Sequence, residues 1–146
     1  MDIVVQSQRL TSNAALTSAQ AAVSKGTEIG VKINVAVVDS GGHLLAFLRA
    51  DGAFLPSIKI AQDKAYTSAG FFMPSATLYE AIKGEPDVLS GIGKQDRVAA
   101  FSGGLPIVSA GEVVGGIGVS GASAEQDQIC AQAGVDAIGL QSNLGE

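Results

Sequence analysis

The sequence predicts an α/β domain of the α+β type: an antiparallel sheet of about four to five strands flanked by helices, in the order α-β-β-α-α-β-β-α. Three observations predict it. Two pairs of apolar, β-branched-rich stretches are each joined by a short glycine-bearing turn, the mark of a hairpin rather than a strand–helix crossover. Segments with helical spacing precede, separate and follow the two pairs. Nineteen glycines among 146 residues, nearly twice the ~7% average, gather at 41–42, 103–104, 111, 115–118 and 121, where strands turn.

The first helix occupies the Ala-rich stretch 10–29 and closes at Gly30, with Leu10, Ala14, Ala21 and Ala22 on one rough stripe. Val31–Val38 is β-branched-rich, Asp39-Ser40-Gly41-Gly42 breaks it, and His43–Arg49 resumes an extended pattern, giving the first hairpin. Ser57–Ser68 reads as a helix on Ile58, Ala61 and Ala65, with Pro56 at its start. A shorter helix follows Pro74, from Ser75 to about Lys83, and the aperiodic stretch 84–97 reads as a loop. Val98–Val108 and Glu112–Val119 form the second hairpin, turning at Ser109-Ala110-Gly111. The last helix opens on a capping box, Ser123-Ala124-Glu125-Gln126, and its expected core stripe is Ile129, Ala133, Ala137 and Leu140. Glu125 and Asp127 sit where the helix dipole favours acids. No linker, charge run or repeat divides the chain, so residues 1–146 are expected to form one domain.

Composition excludes several classes of function. Hydrophobic residues make up 47% and charged residues 16%, with a mean hydropathy of +0.33. Disorder needs the opposite balance, and so little charge suits a protein that hides part of its surface in an oligomer. The nine basic residues are scattered under a net charge of −5, which argues against nucleic-acid binding. One cysteine, Cys130, rules out an intrachain disulfide and any multi-cysteine metal site. Charge-free runs reach about 15 residues, short of the ~18–20 apolar residues of a membrane helix. The N-terminus has no basic segment leading into an apolar stretch, so the expected location is the cytoplasm.

Gly116-Ile117-Gly118-Val119-Ser120-Gly121 satisfies G-x-G-x-x-G, but no second parallel strand can follow and position 141 is Gln rather than an acid. These glycines are better read as sites where the strand meets another backbone or a ligand. His43 is the only histidine, so any imidazole chemistry, whether axial heme ligation or acid–base work, runs through it. A solvated turn residue is its plain alternative. A Ser-His-Asp hydrolase lacks its nucleophile elbow. Cys130 reads as an inert core thiol, with a Cys130–His43 pair as the reactive alternative. Asp39, Arg49, Asp51, Lys64 and Asp127 are the candidate polar-site residues. Asp39 and Arg49 flank one hairpin, whose turn would bring them together, unless Asp39 only serves the turn. Lys64 shares a face with Ile60 and Ala61, so it either snorkels or points into a pocket and binds an anion.

Val35–Arg49, with its run Val38-Asp39-Ser40-Gly41-Gly42-His43-Leu44, followed by Asp51-Gly52-Ala53, resembles the first signature of the GlcG/HbpS-like family. Ser57, Ala61, Lys64, Ala65 and Thr67 are similar to its central helix. Gly103-Gly104-Leu105-Pro106-Ile107, Gly115–Gly121, Gln126-Asp127 and Ala133-Gly134 are similar to its C-terminal signature. The resemblance implies a profilin-like domain in a family of dimers and larger oligomers, up to octamers. Some relatives bind heme, a related domain ends the PduO-type cobalamin adenosyltransferases, and others accompany glycolate, glycerol or propanediol metabolism.

Three functions compete. A ligand-binding homo-oligomer would hold heme, another tetrapyrrole or a small metabolite in a pocket walled by Phe47, Leu105, Pro106 and the glycines Gly104, Gly115 and Gly116. Asp39, His43, Arg49 and Lys64 would be its polar contacts, with His43 the heme-iron ligand. An enzyme acting on a small oxygenated acid or aldehyde would use His43 or Asp39 as base and Arg49 or Lys64 to hold a carboxylate. An accessory protein would need no small ligand.

Overall fold

The computed structural model describes residues 1–145, leaving Glu146 outside the described residues. Its elements are α1 (Ser12–Ile29), β1 (Asn34–Asp39), β2 (Leu44–Arg49), α2 (Ser57–Phe71), α3 (Ser75–Ile82), α4 (Pro86–Gly93), β3 (Gly104–Ser109), β4 (Glu112–Ser120) and α5 (Ala124–Ala137). The four strands form one antiparallel sheet in the order β2-β1-β4-β3. The two hairpins therefore meet through β1 and β4, with Val35 opposite Val119 and Asp39 opposite Gly115. Both hairpin turns lie at one end of the sheet. That placement defines the site.

Strand alternation sends Val35, Val37, Leu105, Ile107, Ile117 and Val119 to one face, against Ala15, Ala19 and Ala22 of α1 and Ala131 and Val135 of α5. The opposite face carries Ala36 and Val38 and packs on Ala61, Ala65 and Ala69 of α2. A sheet covered on both faces needs no polar alternation, and all six residues of β1 are buried. The expected stop at Gly30 forms in the left-handed conformation, both halves of the expected Ser123–Gln126 capping box form, and Thr11 adds a cap on α1, through the Ala14 amide, that the sequence reading did not name.

Five readings need correction. The stretch 84–97 is not all loop, because Pro86 starts α4, with Asp87 in its first turn. No residue of α4 is fully buried and glycines interrupt it, so no core stripe marked it. Residues 98–103 are not strand. Their backbone is tied instead to side chains of α2 and α3, with the Ala99 amide donating to Thr67 Oγ1 and Ser75 Oγ donating to the Phe101 carbonyl. The first strand begins at Asn34 rather than Val31. The inner face of α5 is Asp127, Cys130, Ala131, Gly134 and Val135, about one residue round from the expected stripe, leaving Ile129 exposed. Gly134 sets that rotation: Ser18 Oγ of α1 donates to its carbonyl at 2.9 Å, and a Cβ there would lie 2.5 Å from Ile117. α1 turns similarly, burying Ala15, Ser18, Ala19, Ala22 and Gly26. Cys130 lies fully buried in this layer, where burial pushes its thiol up to about 11.

Candidate functional site

The β1–β2 turn is built on Asp39. Its Oδ1 accepts from the amides of Gly41 (2.9 Å) and His43 (3.1 Å) and lies 3.1 Å from His43 Nδ1. The Gly42 amide donates to the Asp39 carbonyl and closes the turn. Burial pushes the Asp39 carboxyl up, but the two amides and the imidazole outweigh it and hold the group below its ordinary value of 3.8. An ionised Asp39 can only accept, so Nδ1 carries the proton in this hydrogen bond. In the neutral form of the ring this leaves the lone pair on Nε2, on a side chain 78% exposed. Gly41 lets the ring lie close over the turn: a Cβ there would lie 2.7 Å from the imidazole Cε1 and would turn the ring away.

His43 opens onto a cavity of about 600 Å³ between the two hairpin turns and the N-terminal arm. Gly111 and Val113 line it from the β3–β4 turn, and Phe72 and Leu144 add apolar wall. Arg9 lines it from the arm, which is fastened to β4 by the Leu10 amide on the Val114 carbonyl and the Gln8 amide on Glu112. Among the described residues, three non-glycine residues have positive φ, namely Phe72 (62°), Arg97 (70°) and Ala110 (51°). All three converge on this end of the molecule. Phe72 lines the cavity, Ala110 precedes lining Gly111, and Arg97 Nη2 donates to the Gly42 carbonyl at 3.1 Å. Backbone strain of this kind concentrates at functional sites.

The expected site residues divide. Asp39 and His43 stand together, whereas Arg49 lies at the other end of β2, opposite Asn34, with Nε donating to the Ala53 carbonyl. Roughly 17 Å of strand, at ~3.4 Å per residue, separates Arg49 from the turn. The expected Asp39–Arg49 proximity is thus corrected, because the turn joins the near ends of the strands and Arg49 is at a far end. Arg49 lines a separate cavity of about 500 Å³ with Lys32 and Asp51.

Lys64 neither snorkels nor faces a pocket. It is 1% exposed, and Nζ donates to the Val119 carbonyl (2.8 Å) and to Asp127 Oδ2 (3.2 Å). Burial pushes the Lys64 amine down against the opposing pull of Asp127, and pushes the Asp127 carboxyl up against the pull of Lys64. The pair is a strut between α2 and the start of α5. Cys130 sits in the α1–α5 layer with its Sγ near Gly26, so it forms no pair with His43.

The glycine wall also moves. A Cβ on Gly104 would lie 2.5 Å from the Lys64 carbonyl, one on Gly116 2.5 Å from the Ala65 carbonyl, and one on Gly118 against the Ala61 carbonyl. These glycines admit the α2 backbone, not a ligand. Gly115 is closed off by the Val38 carbonyl and Leu10. Pro106, paired with Gly116, is buried in β3, and Phe47 packs half-buried beside Ala36 and Val38. The cavity residues that sequence reasoning missed include Arg9, Phe72, Glu112 and Leu144. They come from four separate stretches, and only Phe72, in an aromatic pair just before Pro74, carried a local signal.

Comparison with known proteins agrees with this architecture. A model of the family described as "Haem degrading protein HbpS-like" matches residues 10–136. A Citrobacter freundii protein, described as an uncharacterized 15.0 kDa protein in the dhaT-dhaS intergenic region, is 36% identical over 128 residues, 87% of this chain and 90% of that one. The crystal structure of HbpS superposes with a TM-score of 0.86 at 35% identity, over 94% of this chain and 95% of that one. The crystal structure of a PduOC:heme complex gives a TM-score of 0.83 at 28% identity, covering 92% and 99%. Among the described residues no helix is long and apolar enough to cross a membrane. With the family model spanning nearly all of the chain and two of its solved relatives sharing the whole fold, this protein belongs to the HbpS-like family.

Proposed function

We propose that the chain is a heme-binding accessory protein that holds the tetrapyrrole at the cavity between the hairpin turns, with His43 Nε2 as the iron ligand. One observation carries the reading: a lone, exposed imidazole that lines a partly apolar cavity is held through Nδ1 by a buried carboxylate. A carboxylate on the far nitrogen is how proteins fix the ring and raise the basicity of a metal-ligating histidine. The residues present fit such a group. Its volume lies within the ~300–1,000 Å³ of ordinary ligand sites, Phe72, Val113 and Leu144 supply apolar surface, and Arg9 supplies a cation for a propionate. Bound heme would bring redox and ligand-exchange chemistry at its iron. The heme complex of the structural relative PduOC supports the choice of ligand.

The proposal extends to assembly and setting. We extend it to a homo-oligomer, dimer up to octamer, which the low charge content supports, and to work in the cytoplasm as an accessory to small-carbon metabolism. The same Asp39–His43 hydrogen bond favours a second reading, an enzyme in which His43 Nε2 removes a proton from a small oxygenated acid or aldehyde and Arg9 holds its carboxylate.

Titration of the purified protein with hemin is expected to give a saturable Soret shift, and His43→Ala to abolish it while the far-ultraviolet circular dichroism stays unchanged. A wild-type protein that leaves the hemin spectrum unaltered removes heme. Turnover of a small acid lost in His43→Ala would then favour the enzyme.

A further inference from the structure

We propose that Arg97 is the positioning residue for His43: it clamps the Gly41–Gly42 turn from behind and so sets which imidazole nitrogen faces the cavity. The turn has open space on two sides. In front is the 600 Å³ cavity that His43 borders. Behind it lies a second space of about 300 Å³, between Ser40, Gly41 and Gly42 on one side and Tyr66, Gly70 and Phe71 of α2 on the other. A turn of two glycines over such a space has little side-chain packing to hold it.

The Arg97 guanidinium links Tyr66 of α2 to the turn. Its central carbon sits 3.6 Å from the centroid of the Tyr66 ring, and Nη2 donates to the Gly42 carbonyl. The planar cation thus ties the turn to the rigid face of α2 by a stacking contact and a hydrogen bond at once. Gly42 fits the same clamp, since a Cβ there would lie 2.9 Å from Tyr66 Cδ2. The rest of Arg97 is anchored to support this reach. Its carbonyl accepts from Thr67 Oγ1 at 3.0 Å, the same hydroxyl accepts from the Ala99 amide, and the residue takes a φ of 70°, unusual for an arginine. Anchored to α2 at both backbone and side chain, Arg97 limits the swing of the segment from Asp39 to His43. Asp39 Oδ1 orients the imidazole through Nδ1 and holds the turn through the amides of Gly41 and His43, and all three contacts depend on that segment keeping its shape.

This inference concerns the ligand-free protein, and only its consequence for heme rests on the function proposed above. Because the chain has a single histidine, ¹⁵N NMR of the imidazole reads its tautomer without ambiguity. At pH 8, above the usual imidazole range, the wild type is expected to show predominantly the Nδ1–H form. Arg97→Ala is expected to lower the ratio of Nδ1–H to Nε2–H by about fivefold, the size of one exposed cation–π contact and one hydrogen bond. Tyr66→Leu, which removes the stacking contact and keeps the hydrogen bond, is expected to lower it by about twofold, while Tyr66→Phe, which keeps the ring, matches the wild type. The melting temperature of each variant separates loss of clamping from loss of fold. An unchanged ratio in folded Arg97→Ala and Tyr66→Leu overturns the proposal. Hemin titration of the same samples separates the two ideas. A shifted ratio with no hemin binding by the wild type retains the clamp and removes heme, whereas hemin binding with an unchanged ratio retains heme and removes the clamp.

Discussion

Gly118→Ala is expected to abolish a stable fold, lowering the melting temperature by at least ~10 °C or leaving only insoluble protein. The new methyl would fall on the Ala61 carbonyl and lie 2.5 Å from the Ala65 amide, with Lys64 Cβ at 2.9 Å. Ordinary overpacking costs roughly 1–3 kcal/mol because side chains can rotate away. Here the obstacles are the α2 backbone on one side and a central strand, hydrogen-bonded to β1 and β3, on the other. Relief requires lifting the helix off the sheet, which separates Ala61, Ala65 and Ala69 from Ala36 and Val38. A loss above about 4 kcal/mol follows, at ~2–4 °C per kcal/mol for a domain near this size. Gly84→Ala is the control, since a Cβ there meets nothing within 4 Å. Thermal melts followed by circular dichroism decide the matter, and a Gly118→Ala protein melting within about 2 °C of wild type would show that α2 does not bear on β4 as described.

Lys64→Met is expected to destabilise the protein by about 3–5 kcal/mol, because removing one partner leaves the other charge buried alone. Asp127 would keep only the Ala122 amide, at 3.0 Å, in a site where its carboxylate is 5% exposed. In melting temperature this is roughly 10–15 °C. The double substitution Lys64→Met with Asp127→Leu is expected to recover most of the loss, since it removes both desolvated charges. The pH dependence has a definite sign. In the wild type burial already holds the Asp127 carboxyl above 3.8 despite Lys64, and without the lysine it rises further. A carboxyl whose folded value is raised stabilises the fold at pH below its unfolded value, and that contribution fades as pH climbs through the folded value. The deficit of Lys64→Met should therefore shrink between pH 7 and pH 4. A deficit that grew on acidification would mean that Asp127 is not buried as a charge.

Much of the fold was legible because its signals are local. Pro74, the turn residues Asp39–Gly42 and the capping box at Ser123 each act within four residues, and each delimits an element where expected. Asp39 and His43 were legible for the same reason, as neighbours around one turn. The rotation of α5 was not, because Ile129, Ala133 and Ala137 make as good a stripe as Cys130, Gly134 and Val135 until Ser18 of another helix selects between them. Glycines 104, 116 and 118 announced a close approach, but only the third dimension shows that the approaching group is α2. Arg9 and Phe72 join His43 through tertiary packing of distant segments, which no spacing along the chain encodes.

The sealed position of the one cysteine makes the molecule its own clock. With its sulfur enclosed between α1 and α5 and its proton held to about 11, an alkylating reagent at neutral pH reacts only during moments when that helix pair parts. The labelling rate therefore measures how often the α1–α5 layer breathes, while the lone histidine reports on the opposite extremity of the fold. Two naturally unique side chains thus give separate readings of the frame and of the ligand-facing turns, with no foreign probe introduced.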